Sequence, residues 1–558
     1  MKNYLKYISM VLFAGLTFNA CETTELDLRV SPNDLAADQA DPNLLLNSIQ
    51  LAYASNMDAI SDLGAELTRI DYMFGRNYFN EYPGDTFNGI WSRTYSSGFN
   101  DPGDGTVQVG MFTNVSTLER INDETDVDYS FHVGVAKTLQ AHMLMLLVDY
   151  LGEAGFSQAG NPDEFPAPTL DDGASVYAAA LALLDEAESL LSTEPLTLGA
   201  DDLFYAGDTE KWLKLVNTVR LKAYVTTNDA ASFNAVIADG NYISSAEDDF
   251  EFQYGTSELQ PDTRHPDYAL DYTPSGAGIY QSNWMMELML NNEDPRIRYY
   301  FYRQTDATPG ADGEPANEET LACSLAVPPQ HYIDGGFTYC SVPNGYWGRS
   351  HGNNEGTPPD NFFRTAVGVY PAGGRFDDSS FGVVGLGAGG GGAGIEPIIL
   401  SSYVDFWRAD MASNDADRAT LMASALQKSI DKVQSFGALD ADADLSVAAD
   451  EAEVTAYIDG IVADFNAATG DDKENIFAEQ YFTTLFGGAT EAYNYYRKTG
   501  YPTTVLPNWE PNPGPFPRTF LYPQNEVVTN PSLTQKQTMT QQVFWDTNPA
   551  SPTFPPAN

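Results

Sequence analysis

Positive charge is what this sequence has least of. Its 558 residues hold 28 Lys and Arg against 78 Asp and Glu, a formal net charge of −50, and only five His. A field of that sign repels nucleic acid and other polyanions at long range. Nucleic acid is therefore excluded as a partner class. Histidines are scattered without a zinc-binding spacing, and no His-Glu-x-x-His occurs. Cysteine is limited to Cys21, Cys323 and Cys340. Beyond the first twenty residues, no charge-free apolar run approaches the roughly 20 residues that a membrane-spanning helix needs.

The beginning of the chain has the layout of a secretory signal. Lys2 and Lys6 supply positive charge, Ile8–Phe18 is mostly apolar but too short to span a bilayer, and Asn19-Ala20-Cys21 follows. A cysteine directly after a small residue resembles a bacterial lipobox, although Phe18 and Asn19 depart from its usual residues. The expectation is a signal peptide over 1–20 and a lipid on Cys21, with a plain secretory signal as the alternative. Two or three acyl chains anchor stably where one does not. Export implies an oxidising compartment, where Cys323 and Cys340 form an even pair. A disulfide there closes a short loop worth about 3 kcal/mol; two buried free thiols are the alternative.

The body alternates helical patterns with long loops. Apolar periodicity and end signals predict helices over 41–70, 131–151, 175–191, 211–226, 281–290, 396–411, 416–436, 449–468 and 473–498. The fold class is mainly α, with helical hairpins in series and no clean repeat. Helical scaffold is expected over about 41–247 and 396–500, a loop-rich region over about 248–395, and an extended C-terminal segment over 501–558. The glycine run Gly385–Gly394 follows no strand that would make it a phosphate loop, and it is expected to be a mobile loop. Asp440-Ala-Asp-Ala-Asp, with Glu451 downstream, echoes a calcium loop, but Leu445 stands where such a loop needs glycine. It is read as an acidic lead-in to a helix, and no metal site is expected there.

Several motifs, in order, resemble those of the SusD/RagB-like outer-membrane lipoproteins of Bacteroidetes, SusD-like subgroup. They are the helix beginning Asp41-Pro-Asn-Leu-Leu, the turn Asp149-Tyr-Leu-Gly-Glu-Ala-Gly-Phe-Ser, and the helix Lys211-Trp-Leu-Lys-Leu-Val-Asn-Thr-Val-Arg. Glu293-Asp-Pro-Arg, Glu491-Ala-Tyr-Asn-Tyr-Tyr-Arg-Lys-Thr-Gly-Tyr-Pro and Arg518-Thr-Phe-Leu-Tyr-Pro-Gln-Asn-Glu follow. Gly155 stands where the family's turn has proline. Glu22, Glu25 and Asp27 resemble the acidic tag that sends such lipoproteins to the cell surface.

The resemblance implies a tether over 21–40 and a single domain over 41–558, built on tetratricopeptide-like hairpins. It further implies a lipid-anchored, surface-exposed position on the outer membrane and a SusC-like TonB-dependent porin as partner. The implied function is capture of an oligosaccharide or other nutrient without catalysis, and the chain's negative charge makes a neutral glycan expected ahead of a polyanionic one. A peptide-binding member of the same uptake system is the alternative, with a surface glycoside hydrolase behind it. Some members carry structural calcium, which no residues here locate; no cofactor is expected.

The chain has 32 Tyr, 30 Phe and 7 Trp, and sugar rings stack their C–H faces on such side chains. Two loop regions combine aromatics with polar groups. Trp347, Tyr346 and Arg349 lie between glycines just beyond the cysteine pair. Tyr72, Arg76 and Tyr78 lie in an early insertion, of the kind that often contributes to the family's site. These six are the candidate ligand contacts. Trp212, Arg220, Arg296 and Arg497 are read as structural locks, because a guanidinium fork can serve several carbonyls at once.

Overall fold

The structure, a computed structural model, describes residues 40–96, 99–100, 107–193, 201–310, 321–355 and 363–556. The expected signal peptide, Cys21 and the tether as far as residue 39 lie outside the described residues. The first helices are α1 (Pro42–Thr68), α2 (Asn88–Tyr95), α3 (Met111–Glu124), α4 (Ser130–Leu151), α5 (Gly173–Leu191), α6 (Thr209–Thr226) and α7 (Ala230–Asp239). One longer helix, α8 (Asn283–Asn291), stands among the loops. A second run follows: α9 (Ser401–Asp410), α10 (Asp415–Ser435), α11 (Glu451–Ala467), α12 (Asp471–Thr484) and α13 (Thr490–Thr499).

Neighbours in sequence are neighbours in space. Helices α3 to α7 pack each on the next, as do α9 to α12. The two runs meet where α9 packs on α6 and where α1 packs on α13. This is the serial helical-hairpin architecture that the periodicity predicts.

The abundant acids serve the helix ends. Asp172, Asp208, Asp229 and Asp450 accept hydrogen bonds from first-turn N–H groups of α5, α6, α7 and α11. Each satisfies donors that the helix cannot and complements its positive N-terminal dipole. Helix α4 is long and apolar enough to cross a membrane by composition, but 94% of that window is buried inside the protein. It is the central core helix, ended by Gly152 in the left-handed conformation, φ 84°.

Three sequence expectations are corrected. The helix expected over 396–411 begins as a strand: β2 (Ile395–Ile399) pairs antiparallel with β1 (Phe250–Gln253), and only then does α9 start. Ile395, Ile398 and Ile399 are β-branched, and Pro397 opposes helix, so the extended form wins. The helix expected over 473–498 is two, broken at Gly487, φ 84°, and Gly488. A Cβ on Gly488 would lie 2.2 Å from the Pro397 carbonyl oxygen, so that contact requires glycine.

The glycine run at 385–394 is open over Gly385–Gly387 but packed, rather than loose, from Ala388 on. Gly390 N–H and Gly392 N–H donate to the carbonyls of Gly374 and Gly373, and the Tyr268 hydroxyl donates to Ala388. A Cβ on Gly389 would meet the Gly374 carbonyl at 2.1 Å. These glycines allow backbone to lie on backbone. The sequence reading also leaves α2, α3 and α7 unassigned, although α7 carries an Asp cap and a terminal Gly240.

One buried carboxylate ties the helices together. Asp149, fully buried in α4, accepts from Tyr177 of α5 at 2.5 Å, Asn494 of α13 at 2.9 Å and Trp545 of the C-terminal segment at 2.9 Å. Lys222 of α6, also fully buried, pairs with it and has Glu491 3.6 Å away. The C-terminal segment is fixed by further arginines. Arg518 pairs with Asp546 and donates to Pro549, while Arg497 donates to Arg518 and Asn494. Arg296 is held bidentately by Asp294 and donates to Ser429 of α10 and Thr484 of α12.

Replacing Lys222 by Met strands the Asp149 charge in the core. The expected loss is about 3–5 kcal/mol, read as a lower denaturant midpoint. A midpoint equal to the parent's would show that the pair does not hold these helices.

Candidate functional site

Asp58, Asp62 and Glu66 recur at four-residue steps along the second half of α1, so they form one stripe. The helix ends at Thr68, and Arg69, with φ 66°, turns the chain sharply. Arg69 is buried and pins this turn by donating to the Leu67 and Leu506 carbonyls and the Tyr78 hydroxyl. The loop beyond brings Asp71, Tyr72 and Phe74 beside the acidic stripe.

The facing wall comes from the loop-rich region. A turn of helix at Pro266–Asp271 contributes Asp267 and Leu270. The wall is tied by Asp271, which accepts from the N–H groups of Gly278, Ile279 and Val367. Gly278 is required there, since a Cβ would lie 2.3 Å from the Leu270 carbonyl oxygen. Between the two walls is an open cleft of about 440 Å³, reached also by Tyr280, Gln281, Arg364 and Phe486. This lies within the roughly 300–1,000 Å³ usual for small-ligand sites. Phe74 and Leu270 line it while remaining 57% and 55% exposed.

The cleft is electrostatically lopsided. Loss of water and repulsion from Asp267 raise Asp58 to about 7, against the nearby Arg93. Asp71 rises to about 7 from the same two causes. Burial and the Glu81 charge raise Glu66 to about 8, although the Tyr82 hydroxyl donates to it at 3.0 Å. Asp62 is pushed well above the carboxylate range by its depth in the concavity and by repulsion from Asp58, Asp267, Asp71 and Glu66. It stays open to the cleft's water, so the repulsion is the part that persists in solution. On the other wall Arg364 donates to the Gly278 carbonyl, and its guanidinium lies 4.0 Å from the centre of the Tyr280 ring. Arg349 lies 4.2 Å from that ring.

Of the candidate ligand contacts, Tyr72 alone lines this cleft. Its hydroxyl donates to the Asn353 carbonyl and its ring meets Tyr280 edge-on at 5.9 Å. Arg349 is buried behind the wall, donating to Asn353, Glu355 and the Tyr280 hydroxyl, so it positions rather than touches. Arg76 is partly exposed outside the cleft, bonded to Asn354 and Glu355 and lying over Trp509.

The other three are core residues, which corrects the sequence reading. Trp347 is fully buried against Leu321 and Cys323, with its indole N–H donating to Ala307 at 2.9 Å. Tyr346 is buried under Arg303, and Tyr78 is buried against Phe516. Glycines around Tyr346 and Trp347 look like exposure but serve close packing. A Cβ on Gly345 would lie 2.1 Å from the Thr305 carbonyl, and one on Gly348 would lie 2.4 Å from that of Gln281. The Cys323 and Cys340 sulfurs are joined beside Trp347 and supply part of its small core.

The sequence also holds a Gly-x-Ser-x-Gly, Gly348-Arg349-Ser350-His351-Gly352. It is not a nucleophile elbow. Among the described residues no helix starts at the serine, and its fully buried hydroxyl has no base at hydrogen-bond distance. Phe74, Leu270, Tyr280 and Arg364 were missed by sequence reasoning. The acidic spacing on α1 was the one local signal; what it faces depends on the tertiary fold.

The chain belongs to the SusD-like family, described as starch-binding and associating with the outer membrane, whose model matches residues 33–319. Among solved structures it is similar to a SusD/RagB family protein from Bacteroides thetaiotaomicron, with TM-score 0.64 and 17% identity. It is similar as well to a chitin-binding protein, with TM-score 0.61 and 18% identity, and to a SusD homolog from Bacteroides uniformis, with TM-score 0.59 and 16% identity. Each alignment covers 91% of this chain and 100% of the other. At these identities the likeness is one of fold. No curated protein matches the sequence.

The raised carboxylates make a pH prediction. Their folded pKa values lie above the unfolded ones, so the folded state holds protons that the unfolded state releases. Their contribution therefore opposes folding increasingly as pH rises from about 4 to about 8. An Asp62→Asn/Glu66→Gln variant is expected to gain thermal stability relative to the parent at pH 8 and to lose that advantage at pH 5. An equal offset at both values would contradict the electrostatic account.

Proposed function

We propose that this protein is a cell-surface lipoprotein that captures an oligosaccharide in the α1 cleft and passes it to a TonB-dependent outer-membrane porin. The observation that carries the reading is the open cleft itself. Its exposed lip residues Phe74 and Leu270 stand beside Tyr72, Tyr280 and a set of hydrogen-bonding groups. Exposed apolar side chains gathered at one concavity mark ligand surfaces. Carbohydrate C–H faces suit them, and the hydroxyls suit Gln281, Arg364 and the carboxylates. The family's description supports a polysaccharide ligand and the outer membrane; the chitin-binding neighbour adds an example on this fold. A lipid on Cys21 would hold the cleft at the surface beside the porin, and the helical scaffold offers the porin a rigid face.

The carboxylates favour a second reading, since glycoside hydrolysis uses a pair of Asp or Glu with one pKa raised. Calorimetry with a panel of oligosaccharides, combined with product analysis, separates the two. Capture predicts saturable binding without new reducing ends. Turnover abolished by Glu66→Gln would replace it with the hydrolase reading.

Phe74→Ala is expected to weaken glycan binding about tenfold, ~1.4 kcal/mol, with the fold intact. Trp347→Ala is expected instead to destabilise the fold by about 3–5 kcal/mol. The reverse pattern would move the site to the disulfide loop. Cys21→Ala is expected to transfer the chain from the membrane fraction to the soluble one; retention in the membrane would contradict lipid anchoring.

A further inference from the structure

Almost all the aromatic rings of this chain are packed inside it. Among the described side chains only four of the Phe, Tyr and Trp rings are exposed: Phe74, Phe79, Phe337 and Phe544. Phe79 is the most exposed at 68%, and Phe74 follows at 57%. Both belong to the insertion between α1 and α2. A lone exposed apolar side chain needs no explanation, but these two stand close together beside one cleft.

The insertion is fixed at several points along its length. Gly352 N–H donates to the Met73 carbonyl at 2.9 Å, and Tyr78 N–H donates to that of Pro513 at 3.2 Å. Between them Arg76 donates to Asn354 at 2.8 Å and lies over Trp509. Asn77 accepts from the Asn80 N–H at 2.9 Å and so starts the single helical turn Tyr78–Glu81. That turn folds back on the start of the insertion, since a Cβ on Gly75 would lie 2.9 Å from Glu81 Cβ. With backbone in such contact, the Phe74 and Phe79 Cα atoms lie within about 15 Å of each other. Tyr78 and Tyr82 are buried on the inner side, and Phe79 is left outside. The far end returns to the cleft, where Tyr82 donates to Glu66 at 3.0 Å. Phe79 therefore stands on a firm ridge that continues the lip carrying Phe74.

We propose that Phe79 is a second stacking platform, and that the protein takes the interior of a polysaccharide chain, which lies against Phe74 in the cleft and runs on over Phe79. The inference rests on the glycan-capture reading above and specifies the length of its ligand. Both rings are large and flat, and little conformational entropy is lost in presenting them. A chain that reaches both gains the second contact without a second loss of translational freedom, so affinity rises with length until both are covered. A docked protein fits Phe79 less well. Its neighbours along the chain include Asn77, Asn80 and Glu81. Their amides and carboxylate serve sugar hydroxyls, whereas the centre of a protein interface is apolar and depleted of charge.

The test is calorimetric titration of the full chain in detergent with two-residue and six-residue oligomers of glucose, N-acetylglucosamine, xylose and mannose. In a series that binds, the parent is expected to hold the hexamer at least about tenfold more tightly than the dimer. Phe79→Ala is expected to weaken the hexamer about fivefold while leaving the dimer and the thermal midpoint at the parent's values. Phe74→Ala is expected to weaken both oligomers. Phe544→Ala, which removes an exposed ring packed on Tyr177 of α5, is expected to change neither. A hexamer bound no more tightly than the dimer, or held equally by the parent and Phe79→Ala, would overturn the proposal while leaving glycan capture standing. Equal losses for dimer and hexamer in Phe79→Ala would overturn the second platform by placing that ring in the first. Failure of all four series would overturn the capture reading with it.

Discussion

The scaffold depends on the Asp149 carboxylate. Four groups from different parts of the chain converge on it: Tyr177, Lys222, Asn494 and Trp545. A buried charge of this kind tolerates few alternative arrangements, because each lost partner leaves an uncompensated group in a medium that solvates it poorly. α4, α5, α6, α13 and the C-terminal segment are thereby held in one relation. The same chemistry recurs at Arg296 and Arg518, which clamp loops and the chain end onto helices. Where polar groups are fully partnered, this protein is rigid by construction.

The cleft is built on the opposite principle. α1 lends one face to the core through Leu46, Ile49, Tyr53, Met57 and Ile60, and turns its acidic stripe toward the open cleft. The loops have small cores of their own: Tyr268 and Tyr272 in one, Trp347 with the disulfide in another. They are therefore firm enough to form a wall. Stability is concentrated in the helices and loop cores, and the cleft between the walls is left open to water. That division is what a binding site on a rigid frame requires.

Much of the scaffold was legible in the sequence because helices declare themselves locally. The unbroken apolar run of α4, the caps of α5 and α6, and the Gly152 stop are all contained in short windows. Errors arose where tertiary contact overrode the window. Ile395–Ile399 reads as part of a helix until it pairs with Phe250–Gln253, and Gly487-Gly488 breaks a helix partly because the Pro397 backbone lies against it. The candidate site was less legible. Trp347 and Tyr346 have the composition of a sugar platform, but their glycine neighbours serve close packing rather than exposure. Phe74, four residues from Tyr78 in the same insertion, is exposed, as is Phe79. Nothing local separates them, since the difference is made by Arg69, Phe516 and His351 enclosing Tyr78.

The central claim is that ligand enters the cleft between α1 and the Pro266–Asp271 turn. A crystal structure of the chain soaked with an oligosaccharide that it binds tests it most directly. The account predicts sugar density in this cleft, against Phe74. Density beside Trp347 or along another face, with this cleft empty, would contradict it.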